Sequence, residues 1–161
     1  MQTATEIKVW LTALVGALSA LWGWLGWLVV GWVVCMAIDY ISGSAAAAKA
    51  GEWSSAKARE GIWHKAGMFV VVIVAAGADV LLAQVVEWVP IVQLPFELGG
   101  LICHVVLVWY IVTELGSITE NAVAMGAPVP EWLSKLLESS KKSIEEAGEV
   151  IVPLSHNKEE E

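Results

Sequence analysis

The sequence predicts an all-α integral membrane protein with three transmembrane helices. An N-terminal apolar helix reads as a fourth span forming a hairpin with the next one, and a C-terminal amphipathic helix lies in the cytoplasm. Three observations lead there. Of the 161 residues, 57% are hydrophobic, above the roughly 45–50% of ordinary globular chains, and so short a chain has too little interior to bury that surface in water. The apolar residues are gathered into four long stretches, and Lys and Arg are confined to particular connections between them.

The first stretch runs from Ile7 to Leu21 and the second from about Trp24 to Ile41. As one helix they would measure roughly 50 Å at 1.5 Å per residue, whereas the hydrocarbon core is only about 30 Å thick. The chain must turn or leave the bilayer between them. The segment Trp22-Gly-Trp-Leu-Gly-Trp27 supplies two glycines for a turn and three tryptophans that prefer the membrane interface. A hairpin is favoured over a first helix lying along the surface. The third stretch, Gly67 to Val86, and the fourth, about Pro95 to Thr113, approach the length of about 20 residues that a span requires. No cleavable signal peptide is expected, because the first stretch lacks a charged leading region and runs straight into the second.

The fourth helix is expected to continue to Met125, where Gly126 can take a left-handed conformation and Pro128 blocks extension. Pro130 suits the first turn of a new helix from Glu131 to about Ala147, with Trp132, Leu133, Leu136, Leu137 and Ile144 on one broad apolar side. The organisation predicted is therefore a transmembrane domain over 1–125, an amphipathic helix over 126–148 and a disordered acidic tail over 149–161. Lys49, Lys57, Arg59 and Lys65 lie between the second and third stretches, and Lys135, Lys141, Lys142 and Lys158 follow the fourth. The connection from Glu87 to Glu97 has no Lys or Arg. The positive-inside rule places the first group and the C-terminus in the cytoplasm of a bacterial inner membrane. The formal charge of −8 comes largely from glutamates near the C-terminus. A Lys/Arg footprint for nucleic acid is missing.

The residues carry no enzyme signature: no phosphate loop, no HExxH, no nucleophile elbow. No catalytic, cofactor or metal site is expected. Cys35 and Cys103 sit inside apolar runs and read as small buried hydrophobes. Most of the ten tryptophans fall near predicted interfaces and form an aromatic belt. Thr12, Gly16, Ser19, Gly23 and Gly26 recur at helical spacing and draw one stripe of small residues, a packing seam either within one protomer or between protomers. Asp39 and Glu114 lie near the cytoplasmic ends of their helices. Asp79 and His104 fall at similar depth on antiparallel helices, about 10 Å from the outer face, which leaves three readings: a satisfied interhelical hydrogen bond with no role in gating, a pair between the two, or a place lining a water-filled lesion. Ionisable groups in lipid are costly and face protein or water.

Two blocks resemble the toxin-secretion/phage-lysis holin family. The first is Asp39-Tyr40-Ile41-Ser42-Gly43, followed by an alanine-rich turn, a basic loop with Trp53-Ser-Ser55 and a helix bearing Asp79. The second is Glu114-Leu-Gly-Ser-Ile-Thr-Glu120-Asn121, then Gly126-Ala-Pro128-Val-Pro130-Glu131. The resemblance spans about residues 27–138. It implies a phage or prophage protein that homo-oligomerises in the lipid bilayer and opens lesions. Endolysin, or in some relatives a large toxin, leaves through them as cargo only. It implies no catalytic residues. The rival readings are a small transporter or channel subunit, which would show selective flux, and a membrane-anchored assembly protein whose tail helix recruits a partner.

Overall fold

The computed structural model describes residues 2–88 and 100–151; in the first half of the opening helix the side chains of 2–4, 11, 14, 17–22 and 24 are also outside the description. Among the described residues the protein is four α-helices with no strand: α1 (Gln2–Lys49), α2 (Ser55–Trp88), α3 (Leu101–Ala124) and α4 (Glu131–Ile151). Three segments, Leu25–Lys49, Ser55–Trp88 and Leu101–Ala124, are long and apolar enough to cross a membrane. The chain is a multi-pass membrane protein.

α1 leaves helical geometry at Gly23, where φ is 53° and ψ is −136°. A residue with a Cβ avoids that region, which is why the break falls on one of the two glycines of the Trp22–Trp27 segment. The described apolar side chains before it, Ile7, Val9, Trp10 and Val15, are exposed. Beyond it α1 runs unbroken through Ala45–Ala48 to Lys49, so the alanine-rich segment is helix rather than the turn expected. Alanine is the strongest helix former, and nothing in that run interrupts the backbone ladder.

The basic connection is likewise shorter than expected. The Ser54 hydroxyl accepts the Lys57 N–H at 3.2 Å, an N-cap that starts α2 at Ser55. Lys57, Arg59 and Lys65 therefore ride on the first turns of α2. α3 ends as the sequence predicts: Met125 caps it, Gly126 takes φ 87°, and the Lys49 ammonium donates to the Met125 carbonyl. The segment through Pro128 and Pro130 is non-helical, and α4 opens at Glu131.

The contacts set the packing order. Asp39 on α1 meets Asn121 on α3, and Lys49 meets Met125, so the two helices run parallel. Lys65 on α2 meets Glu114, and Asp79 meets Cys103, so α2 is antiparallel to both. Trp32, Met36, Met68, Ala75, Cys103 and Leu107 form the core. The Trp32 ring is 1% exposed, stacked on Tyr110 at 5.8 Å and tilted against Phe69 at 4.7 Å. Trp27, Trp53, Trp63 and Trp88 are exposed, whereas Trp32 packs the bundle centre. Both cysteines are free thiols, Cys103 buried and Cys35 half-buried.

Candidate functional site

α2 presents one stripe to its neighbours: Lys65, Met68, Val72, Ala75 and Asp79, spaced three, four, three and four. That spacing keeps side chains on one face of a helix. Its middle is apolar and its two ends are charged. Each end organises a polar site.

At the end carrying the basic residues, the Lys65 ammonium lies 3.0 Å from Asp39 Oδ2 and donates to both Glu114 oxygens at 2.8 and 2.7 Å. The Glu114 side chain is 5% exposed and that of Asp39 20%. Asn121 Nδ2 donates to Asp39 Oδ1 at 2.9 Å and to the Ser42 hydroxyl at 3.1 Å, and Ser42 donates to the Asp39 carbonyl at 3.1 Å. One cation from α2 thus holds one carboxylate from each of α1 and α3. With all three ionised the triad keeps one net negative charge, which the Asn121 amide helps to solvate. Breaking such a buried group by removing one partner costs about 3–5 kcal/mol, because a charge is left uncompensated. Beside the triad is a cavity of about 360 Å³ lined by Asp39, Tyr40, Gly43, Lys65, Glu120 and Asn121, among others. The structure therefore brings the two separate sequence blocks face to face. Gly43 faces Asn121, and a Cβ there would stand 3.4 Å from Asn121 Nδ2, in ordinary van der Waals contact.

At the other end Asp79, 5% exposed, accepts the backbone N–H groups of Ile102 at 3.0 Å and Cys103 at 2.7 Å. The first N–H groups of a helix have no partner within it, and Gly100, in the N-cap position, has no side chain to offer. α2 continues nine residues beyond Asp79 to Trp88, about 14 Å at 1.5 Å per residue. α3 therefore begins well short of the end of α2, beside the apolar stretch Gly67–Val86, and a backbone polar group left bare in such surroundings is costly. Asp79 supplies from α2 the cap that α3 lacks, and its charge faces the positive end of the α3 dipole.

This corrects the expected partnership of Asp79 with His104. The two do fall at one level, but His104 Nδ1 bonds to the Gly100 carbonyl at 2.6 Å on its own helix. The N–H groups of the first α3 turn lie closer to the carboxylate and claim both its oxygens.

Lys65 was absent from the residues that sequence reasoning singled out for the site. The signal was there: stepping back from Asp79 by fourteen residues along the helical stripe lands on Lys65. Of the small-residue seam, Gly23 forms the break and Gly26 is buried. A Cβ on Gly16 would meet nothing within 4 Å, and the Thr12 hydroxyl donates to the Lys8 carbonyl at 2.8 Å. The Ser19 side chain lies outside the described residues.

α4, expected as an amphipathic helix, packs on α3. It runs back along α3: Leu137 shares a cavity with Gly116 and Glu120, whereas Ile144 and Gly148 share one with Val105 and Trp109. The Trp109 indole donates to Glu145 at 3.0 Å, and the Lys141 ammonium lies 5.0 Å above the Trp109 ring. Glu149, Val150 and Ile151, expected in a disordered tail, are its last turn. Residues 152–161 lie outside the described residues.

Comparison with known proteins matches residues 16–142 to the bacteriophage holin family. An uncharacterised protein of Halalkalibacterium halodurans is 35% identical over 128 residues, 80% of this chain and 88% of its own length. Uncharacterised proteins of Listeria monocytogenes and Listeria innocua are each 33% identical over 111 residues, covering 68% of this chain and 69% of theirs. No solved structure matches the chain. The chain belongs to the bacteriophage holin family.

Proposed function

We propose that this member of the family oligomerises in the bacterial cytoplasmic membrane and opens lesions through which endolysin, or a large toxin, leaves the cell. The observation that carries the reading is the Asp39–Lys65–Glu114 triad. A lesion-former must be stable as a subunit in lipid and then expose polar surface to water. In the triad three spans hold their charges against one another, so these three charges are satisfied within the subunit while it is closed. When spans separate during assembly, the same charges become a hydrated wall. Asp39, Lys65 and Glu114 are the gating residues in this proposal, with Tyr40, Gly43, Glu120 and Asn121 shaping the cavity beside them and Pro128 and Pro130 setting the start of α4.

The orientation follows from the clustered cations: Lys49, Lys57, Arg59 and Lys65 mark the cytoplasmic end. The helix before Gly23 is proposed as a fourth span, since the glycine break lets it fold into the bilayer beside α1's second half.

Expression in bacteria tests the reading. Induction should stop growth and collapse the membrane potential, and co-expression of a muralytic enzyme without a signal sequence should then give lysis. Cells that keep growing at full potential with the protein abundant in their membrane would overturn it. Selective ion flux without enzyme release would point instead to a channel.

A further inference from the structure

The cavity beside the ionic triad sits where three spans end together. Its α1 wall, from Asp39 to Ala47, lies near the end of the span Leu25–Lys49, and its α3 wall, from Ser117 to Asn121, near the end of Leu101–Ala124. Its α2 wall, from Lys57 to Lys65, precedes the apolar stretch Gly67–Val86. Lipid headgroups lie at such span ends. Trp53, a residue type that prefers that interface, also lines the cavity and is 55% exposed.

The cavity carries opposite charges on facing walls. Lys57 is eight residues beyond Lys65 on α2, and Glu120 six residues beyond Glu114 on the antiparallel α3. At 1.5 Å per residue these are about 12 and 9 Å from the Lys65–Glu114 contact, toward the same end of the bundle. The two stand near one level, yet they do not pair with each other. Lys57 lies 3.3 Å from Glu52 in an exposed contact, of the kind that contributes little. Glu120 has no hydrogen bond or ion pair to a described residue; Lys141 shares another cavity with it but lies over the Trp109 ring. The Tyr40 and Ser44 hydroxyls and the Trp53 indole N–H, which line the same space, are also without a partner among the described residues.

We propose that this cavity binds a zwitterionic phospholipid headgroup of the phosphoethanolamine type, with its phosphate on Lys57 and its ammonium on Glu120. An anion alone would face the Glu120 carboxylate and the net negative charge of the triad, and a cation alone would face Lys57. A group that carries both charges satisfies both walls. The ammonium has three N–H donors for Glu120 and can lie against an aromatic face, whereas the phosphate oxygens can accept from the Trp53 indole or the Ser44 hydroxyl. Gly61 adds no side chain to the space: a Cβ there would stand 3.9 Å from the Tyr40 ring. The volume of about 360 Å³ is at the lower end of ligand pockets, about 300–1,000 Å³, which suits a headgroup whose acyl chains stay outside along the spans. Capture of the lipid stands whether or not the subunit opens lesions, and growth arrest on induction reads that function separately.

The test uses the purified full chain in detergent. Native mass spectrometry measures what it retains from an equimolar mixture of phosphatidylethanolamine and phosphatidylglycerol with matched acyl chains. Phosphatidylethanolamine should be retained in preference. Glu120→Gln should weaken its retention about tenfold and leave phosphatidylglycerol no weaker, whereas Lys57→Gln should weaken both. Both side chains are exposed, so the thermal midpoints should match that of the parent. Gly61→Leu, which fills the cavity and changes no charge, should also abolish the preference. Equal retention of the two lipids by the parent, or an undiminished preference in Glu120→Gln and Gly61→Leu, would overturn the assignment. Retention of soluble glycerophosphoethanolamine without retention of the lipid would overturn a membrane source for the ligand.

Discussion

Asp79 on α2 accepts the backbone N–H of Cys103 on α3 at 2.7 Å, so one helix provides the cap for another. Its second oxygen takes the N–H of Ile102. The start of α3 is therefore held by a residue far from it in sequence, and the depth at which α3 begins depends on that carboxylate.

Asp79→Ala should uncap α3. Losing an N-cap costs about 0.5–2 kcal/mol, and a buried donor left without a partner about 1–3 kcal/mol. A lower thermal midpoint in detergent is expected, with faster hydrogen exchange at Ile102 and Cys103. Asp79→Asn should recover part of the loss, since its amide oxygen still accepts. Unchanged exchange at both amides in the Ala variant would refute the capping role.

Lys65→Met removes the only cation within the triad and leaves Asp39 and Glu114 facing each other. A loss of about 3–5 kcal/mol is expected, together with earlier lesion opening on induction. Adding Glu114→Gln should restore much of the stability, because one fewer charge is stranded. Equal stability of the single and double variants would show that Lys65 does not neutralise Glu114.

Asn121→Asp should destabilise the bundle more than Asn121→Ala. The alanine merely loses a donor to Asp39, whereas the aspartate sets a second carboxylate where the amide stood 2.9 Å from the Asp39 oxygen. Denaturation in detergent ranks the two, and the reverse order would argue against an ionised Asp39.

Gly16→Leu separates packing within a protomer from packing between protomers. A Cβ at Gly16 has nothing within 4 Å, so the monomer should keep its helix content and thermal midpoint. Chemical cross-linking in membranes should nevertheless show fewer oligomers if this stripe meets a second copy, since a branched side chain forces helix backbones apart. Full-size oligomers would exclude the stripe as a seam.

Gly23→Ala should disfavour the break in α1, because φ 53° with ψ −136° is a strained region for alanine at about 1–3 kcal/mol. Thiol labelling from outside intact cells reads the consequence. Cysteines at Lys57 and at Lys8 should both be protected in the parent, and the Lys8 position should lose its protection in the variant. Labelling at Lys57 in unlysed cells would reverse the proposed orientation.

Much of this protein was legible along the chain, because a bilayer imposes length and polarity rules on each segment separately. Three spans, the break in the Trp22–Trp27 segment and the end of α3 at Met125–Gly126 follow from local apolar runs, glycines and prolines. Helix limits were less legible where composition misleads: Ala45–Ala48 and the basic residues after Ser54 continue helices that polarity alone would end.

What only the tertiary structure decided is who meets whom. Asp39, Glu114 and Asn121 were visible as residues, but their convergence on Lys65 depends on how three helices are rotated about their axes and staggered along them. The stagger also settles the fate of Asp79: α3 starts low enough for its first N–H groups to reach the carboxylate before His104 can. The return of α4 along α3 was hidden for a related reason. Its amphipathic pattern shows that one side seeks apolar company, and the same pattern is satisfied by lipid headgroups or by a neighbouring helix. Local sequence sets the polarity of each face, and packing chooses the surface that each face meets.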